Sequence, residues 1–199
     1  MSQIGDNNME LHITENHLKV LALFTKGYQR EYYIREVYKN ISIGLQTAQR
    51  VLDDLEHKGI LISRTKGKIR VFALQDNQDS KDYLILTEQY KKIIFLQNNL
   101  LIKEIVEKIT PHIKGISLIF GSYSKEEQDK ESDLDLCIIG EFNKTEIFRV
   151  SKTYNISLNI KNYSISTFEE KKDDDFLLKE IIQNHVIITQ PDQFIERIL

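Results

Sequence analysis

Residues 121–136 read GSYSKEEQDKESDLDL, and this stretch decides how the second half of the chain is built. Ile116, Leu118, Ile119 and Phe120 precede it as a short buried strand that runs into a Gly121-Ser122 turn. Leu134, Leu136, Cys137, Ile138 and Ile139 form a second strand at its end. With the two-residue period of a strand, Asp133 and Asp135 leave one face while Leu134 and Leu136 enter the core, so two carboxylates are aimed at one point. Such a pair repels itself unless a cation lies between, and magnesium or manganese is the hard, oxygen-seeking ion that suits it. Gly121 permits a tight turn, and the Ser122 hydroxyl can donate to a phosphate oxygen. A metal there can neutralise charge on a transferring phosphoryl group. Taken alone, a Gly-Ser turn and an acidic edge strand are common structural features. Their separation by ten intervening residues gives the combination its weight.

The spaced pattern resembles the signature of the DNA polymerase beta-like nucleotidyltransferases, especially the small prokaryotic forms, over the region Thr110 to Ile188. The resemblance implies that Gly121 and Ser122 position phosphate, that Asp133 and Asp135 are the metal-binding catalytic acids, and that Lys125 is a basic residue near the nucleotide. It implies a nucleoside triphosphate with Mg2+ or Mn2+, and loss of pyrophosphate. The family adds a third acid from a neighbouring strand, and the segment Ile156 to Ile160 resembles that strand with Asn159 at the matching position. An asparagine cannot take a proton from an attacking hydroxyl and binds metal more weakly than a carboxylate. A polar position on an edge strand accounts for Asn159 equally well. Asp173, Asp174 and Asp175 read as the capped start of a helix rather than as a replacement acid. The acceptor is open: a small metabolite, a protein side chain or a nucleic acid end. Some small members of the family attach nucleotides to a partner protein in toxin-antitoxin pairs.

The first part of the chain has a different pattern. Thr14 can cap a helix carrying Leu18, Val20, Leu21, Leu23 and Phe24, which Gly27 ends. A second helix is expected over Tyr32 to Tyr38 and a third from Ser42 or Gly44 to His57. In the third, Ala48, Val51, Leu52 and Leu55 share one face, leaving Gln46, Thr47, Gln49 and Arg50 largely outward. Two strands, Ile60 to Ser63 and Ile69 to Leu74, flank Lys66-Gly67. This order resembles a winged helix-turn-helix, which implies a third helix in the major groove of double-stranded DNA and a wing on backbone or minor groove. Gln46, Thr47, Gln49 and Arg50 then match the recognition positions, and Arg64, Lys66, Lys68 and Arg70 fall on a positively charged wing. A soluble hairpin or a protein-docking module also fits a charged wing. Asp53, Asp54 and Glu56 repel a duplex unless they turn away from it.

These patterns give an α+β chain of two domains: a winged helix-turn-helix over 1–76, a helical connector over 77–112, and a nucleotidyltransferase-like mixed sheet with flanking helices over 113–199. The length of 199 residues suits two modest domains, and the net charge of -3 neither requires nor excludes nucleic acid. The single Cys137 excludes an internal disulfide framework. With no evident secretory or membrane segment, a cytoplasmic protein is expected. Apolar residues recur at helical spacing from Tyr83 to His112, as one or two helices that either offer a homodimer surface or pack within the chain. Further helices are expected over Lys144 to Tyr154, Phe176 to Ile182 and Gln193 to Ile198, with a last strand over Val186 to Thr189.

Overall fold

The computed structural model describes residues 12–125 and 132–199. Of the motif, Glu126 to Glu131 therefore lie outside the described residues, as do the first eleven residues of the amino-terminal region.

Helix α1 (Glu15–Phe24) starts where the Thr14 hydroxyl and backbone N–H both meet the His17 ring, at 2.7 and 3.1 Å. It packs Val20, Leu21 and Phe24 against α2 (Ile34–Ile41) and α3 (Leu45–His57). The expected second helix begins later than its sequence suggests, because Tyr32 and Tyr33 form a short strand, β1. It pairs with β3 (Ile69–Leu74), which in turn pairs antiparallel with β2 (Leu61–Lys66), so the sheet order is β1-β3-β2. Tyr32 is buried with its hydroxyl donating to the Leu23 carbonyl, and its ring meets Phe24 edge-on at 5.0 Å. Fixing that ring in the core decides the pairing over helix continuation.

Helix α4 (Gln78–Asn98) begins inside the polar stretch that follows β3, because the Asn77 side chain accepts from the Ser80 N–H and caps it. Asn99, at φ -130 and ψ 71, separates α4 from α5 (Leu100–Ile109), so the long apolar segment is two helices. One face of α4 packs on α1, the other on the carboxy-terminal layer.

That layer is a four-stranded mixed sheet of order β6-β5-β4-β7, built from β4 (Ile113–Phe120), β5 (Leu134–Phe142), β6 (Leu158–Tyr163) and β7 (Val186–Thr189). β4 runs antiparallel to β5 and β7, whereas β5 and β6 are parallel. The parallel pair needs a crossover, which α7 (Lys144–Tyr154) supplies. Strand alternation splits the apolar residues between two cores. Leu118, Cys137, Ile139 and Ile187 meet Phe168 of α8 (Ile165–Lys171), Leu178 of α9 (Phe176–Gln183) and Phe194 of α10 (Pro191–Ile198). Ile119, Leu136, Ile138 and Ile188 meet α5 and α7 on the other side. The result is an amino-terminal helix-turn-helix with a wing, followed by a mixed sheet covered by helices. No helix among the described residues is long and apolar enough to cross a membrane.

Candidate functional site

The Gly-Ser pair opens a short helix, α6 (Gly121–Lys125), at the end of β4. Gly121 has φ +70, and a Cβ placed on it would lie 2.1 Å from Oδ2 of Asp135. Only glycine satisfies both the left-handed backbone and that close carboxylate. Asp135 opposes Phe120 across the β4–β5 ladder and Asn159 across the β5–β6 ladder. The Asn159 amide donates to Asp135 Oδ1 at 2.7 Å. By alternation both side chains share the face of Cys137 and Tyr163, one turn of the pleat beyond the apolar core. Asp133 lies just before β5 and is exposed, while Asp135 is half-buried. Asn159 therefore stands beside Asp135 on the neighbouring strand, the position the resemblance gives to a third acid.

Asp175 does not fill that role. Its carboxylate accepts from the Leu178 N–H at 2.9 Å as the cap of α9. Burial, then Cys137 and Asp175, push the Tyr163 phenol up. Tyr163 is four residues along β6 from Asn159, roughly 13 Å at strand rise.

Among the described residues no group of three or more His, Cys, Asp and Glu side chains converges as a self-sufficient metal cage. The donors at hand are the Asp135 carboxylate and the Asn159 amide beside the Gly121 turn, with the exposed Asp133 carboxylate two positions before Asp135 in the chain. This set fits Mg2+, which is ordinarily held by one or two carboxylates together with substrate phosphates and water. Asp133 and Asp135 are the residues that would hold it. The chemistry it supplies is charge neutralisation on a phosphoryl group.

The remaining motif residues face the same end of the sheet. Ser122 is half-buried at the first turn of α6. Ser124 donates to the Gly121 carbonyl at 2.9 Å and to the Asn184 carbonyl at 3.1 Å, tying the turn to the segment between α9 and β7. Lys125 forms an ion pair with Glu180 of α9 at 2.6 Å.

In the amino-terminal unit, α3 buries Ala48, Val51, Leu52 and Leu55, and leaves Gln46 and Arg50 exposed with Thr47 and Gln49 half-buried. The wing carries Arg64, Lys66, Lys68 and Arg70 on its surface, yet its positive charge is not unbroken. Arg64 and Lys66 both pair with Glu31, the latter at 2.5 Å. Arg70 pairs with Asp53 at 2.7 Å and with Glu56, and donates from Nε to the Ser63 hydroxyl. Gln49 donates to Asp53 at 2.8 Å. Asp54 turns to His17 and Lys58. The acids that the sequence sets against a duplex are thus occupied by the unit's own cations.

Sequence reasoning missed a buried polar junction where three parts of the chain meet. Glu88 of α4 accepts from the Tyr28 hydroxyl at 3.1 Å and from Lys91 at 2.8 Å, while Lys91 also donates to the Thr25 hydroxyl. His185 Nε2 lies 3.5 Å from both Glu88 Oε1 and the Tyr28 hydroxyl, with Nδ1 on the Ile181 carbonyl at 3.1 Å. Burial works to raise the Glu88 carboxyl, but Lys91 and His185 outweigh it and hold the group down to about 2. Burial, reinforced by Lys91, lowers His185 against the opposing pull of Glu88. No spacing signals this cluster, since its partners are 60 and 157 positions apart for the Tyr28 contacts.

Residues 100–194 match the family described as polymerase beta, nucleotidyltransferase. The carboxy-terminal fold is nucleotidyltransferase-like. Over 71 residues the chain is 37% identical to a Methanocaldococcus jannaschii protein provisionally named a protein adenylyltransferase, covering 36% of this chain and 52% of that one. Over 86 residues it is 40% identical to the ferric uptake regulation protein of Bordetella parapertussis, covering 40% of this chain and 61% of that one. The chain thus spans between about half and three-fifths of the length of these curated relatives.

Proposed function

We propose that this protein is a DNA-binding transcriptional regulator whose nucleotidyltransferase-like domain binds a nucleoside triphosphate with magnesium or manganese. The observation that carries the nucleotide half is the fit of Asp135 between Gly121 and Asn159 at the mouth of the sheet. Gly121 and Ser122 would hold phosphate, Lys125 would reach it by leaving Glu180, and Asp133 and Asp135 would hold the cation. Asn159 donates where a general base must accept, which favours binding over turnover. The DNA half rests on the exposed Gln46 and Arg50 of α3 and on the basic wing, with Lys68 at its tip. Similarity to a regulation protein agrees with it.

A second reading is an active magnesium-dependent nucleotidyltransferase that modifies a small molecule or a partner protein. It is favoured by the two retained carboxylates and by the similarity to a protein named as an adenylyltransferase.

Incubation of the purified chain with labelled nucleoside triphosphates and Mg2+ or Mn2+ separates the two. The regulator reading expects metal-dependent nucleotide binding that is lost in Asp135→Ala, no label transfer, and sequence-selective duplex binding weakened by Arg50→Ala or Lys66→Ala. Pyrophosphate release with label transfer, abolished by Asp133→Ala and Asp135→Ala, would establish the enzyme. Absence of duplex binding under all salt conditions would overturn the regulator.

A further inference from the structure

A cavity of about 550 Å³ opens where the amino-terminal unit, α4 and the nucleotidyltransferase-like domain meet. Its volume is within the range of small-molecule sites. Lys26 at the end of α1, Lys91 of α4 and Lys125 of α6 reach it from three separate parts of the chain, and Tyr90, Phe95 and Tyr123 supply rings. We propose that this cavity is a regulatory site for a nucleoside monophosphate or a similar small ligand that joins an aromatic ring to a phosphate.

The argument begins with charge. Each ammonium group carries three donors. Lys91 spends two of them, on Glu88 and Thr25, and Lys26 is exposed in the turn that follows α1. Glu88 and Glu180 offset two of the three cations, so the lining keeps an excess of positive charge suited to a monophosphate rather than to a triphosphate without metal. The rings and Ile94, which is 37% exposed, offer an apolar wall to a base.

The cavity is distinct from the Gly121–Asp135 pocket. Phe95 and Tyr123 pack with the core on the Leu136 and Ile138 side of the sheet, whereas Asp135 and Asn159 share the opposite face with Cys137 and Tyr163. Helix α6 is the wall between them. The Ser124 hydroxyl, bonded to the Gly121 and Asn184 carbonyls, connects that wall to the turn. A ligand held by Lys26 and Lys125 therefore touches the helix-turn-helix unit and the Gly-Ser helix at once, and biases both by its differential affinity for their arrangements.

The test uses the full chain in EDTA, which silences metal-dependent binding at Asp135. Tyrosine fluorescence and ligand-observed NMR with AMP, adenosine and inorganic phosphate report occupancy. AMP is expected to bind more tightly than either fragment, to lose at least tenfold in affinity in Lys26→Glu, and to keep its affinity in Asp135→Ala. Lys26 is exposed, and an unchanged thermal melt of Lys26→Glu shows that its fold is intact. No AMP binding in EDTA, equal binding of phosphate and AMP, or binding lost in Asp135→Ala and kept in Lys26→Glu would each overturn the proposal. Failure of triphosphate binding with Mg2+ would sink the reading of the Asp135 pocket alone, because Lys26 lines the cavity and is no part of that pocket.

Discussion

Replacing Asn159 with aspartate probes the carboxylate pocket directly. In the native chain Asn159 donates to Asp135 over 2.7 Å. Asn159→Asp removes that charge-assisted bond, worth about 1 kcal/mol at a partly hydrated site. It also puts a like charge at the same distance, which costs about 1.5 kcal/mol even with the full screening of water. The variant should therefore be less stable by about 2–3 kcal/mol in EDTA, a fall in Tm of at least about 4 °C for a chain of this size. Magnesium reverses the sign of the new charge's contribution: a metal present at a hundredfold excess over its Kd returns about 2.7 kcal/mol. Thermal melts of wild type and variant, with EDTA and with Mg2+ alone, should show the variant lower without metal and gaining more than wild type with it. A variant that melts like wild type in EDTA and gains no more from Mg2+ would refute the claim that position 159 completes a cation pocket with Asp135.

Three other outcomes follow from the same reasoning. Glu31→Gln frees Arg64 and Lys66 for phosphates, so duplex affinity should rise several-fold and the salt dependence should steepen by about one unit of slope per added phosphate contact, measured by anisotropy between low and moderate salt; an unchanged slope would show that the wing does not meet the backbone. The depressed Glu88 carboxyl adds stability that is fully present above its usual value of 4.5 and is lost as pH falls toward about 2, on the order of 3 kcal/mol. His185, lowered by burial, likewise loses its contribution as pH drops below 6.5, so urea unfolding should show an acid limb starting there; Glu88→Gln should remove the part below 4.5 and keep the part that begins near 6.5, and identical limbs in both proteins would count against the junction. Burial pushes the Cys137 thiol up to about 12, so alkylation at pH 8 should proceed only through unfolding and accelerate with urea, whereas rapid labelling of the native chain would contradict its place in the sheet core.

What the sequence made legible was local. Alternation around Leu134 and Leu136 placed Asp135 on its face, and the face of Ala48, Val51, Leu52 and Leu55 identified the buried side of α3, because each pattern is complete within a few turns or pleats. Asn159 was matched correctly to the strand beside β5, although its amide bond to Asp135 needed the parallel register to become visible. The late start of α2 was hidden because Tyr32 and Tyr33 are claimed by β3, some forty positions away. Helix α8 gave little signal, since it is seven residues long and buries only Phe168. The pairing of the wing cations with Glu31, Asp53 and Glu56, and the Glu88 junction, depend on side chains that meet only after folding.

The absent methyl group at Gly121 also constrains how this pocket can change over generations. Any larger residue there collides with Asp135, so position 121 is hard to change while Asp135 is kept. Asparagine and aspartate codons differ by a single base, so a third carboxylate at position 159 is one mutation away. The geometry thus ties the residue at 121 to the one at 135 and leaves position 159 open to a third carboxylate.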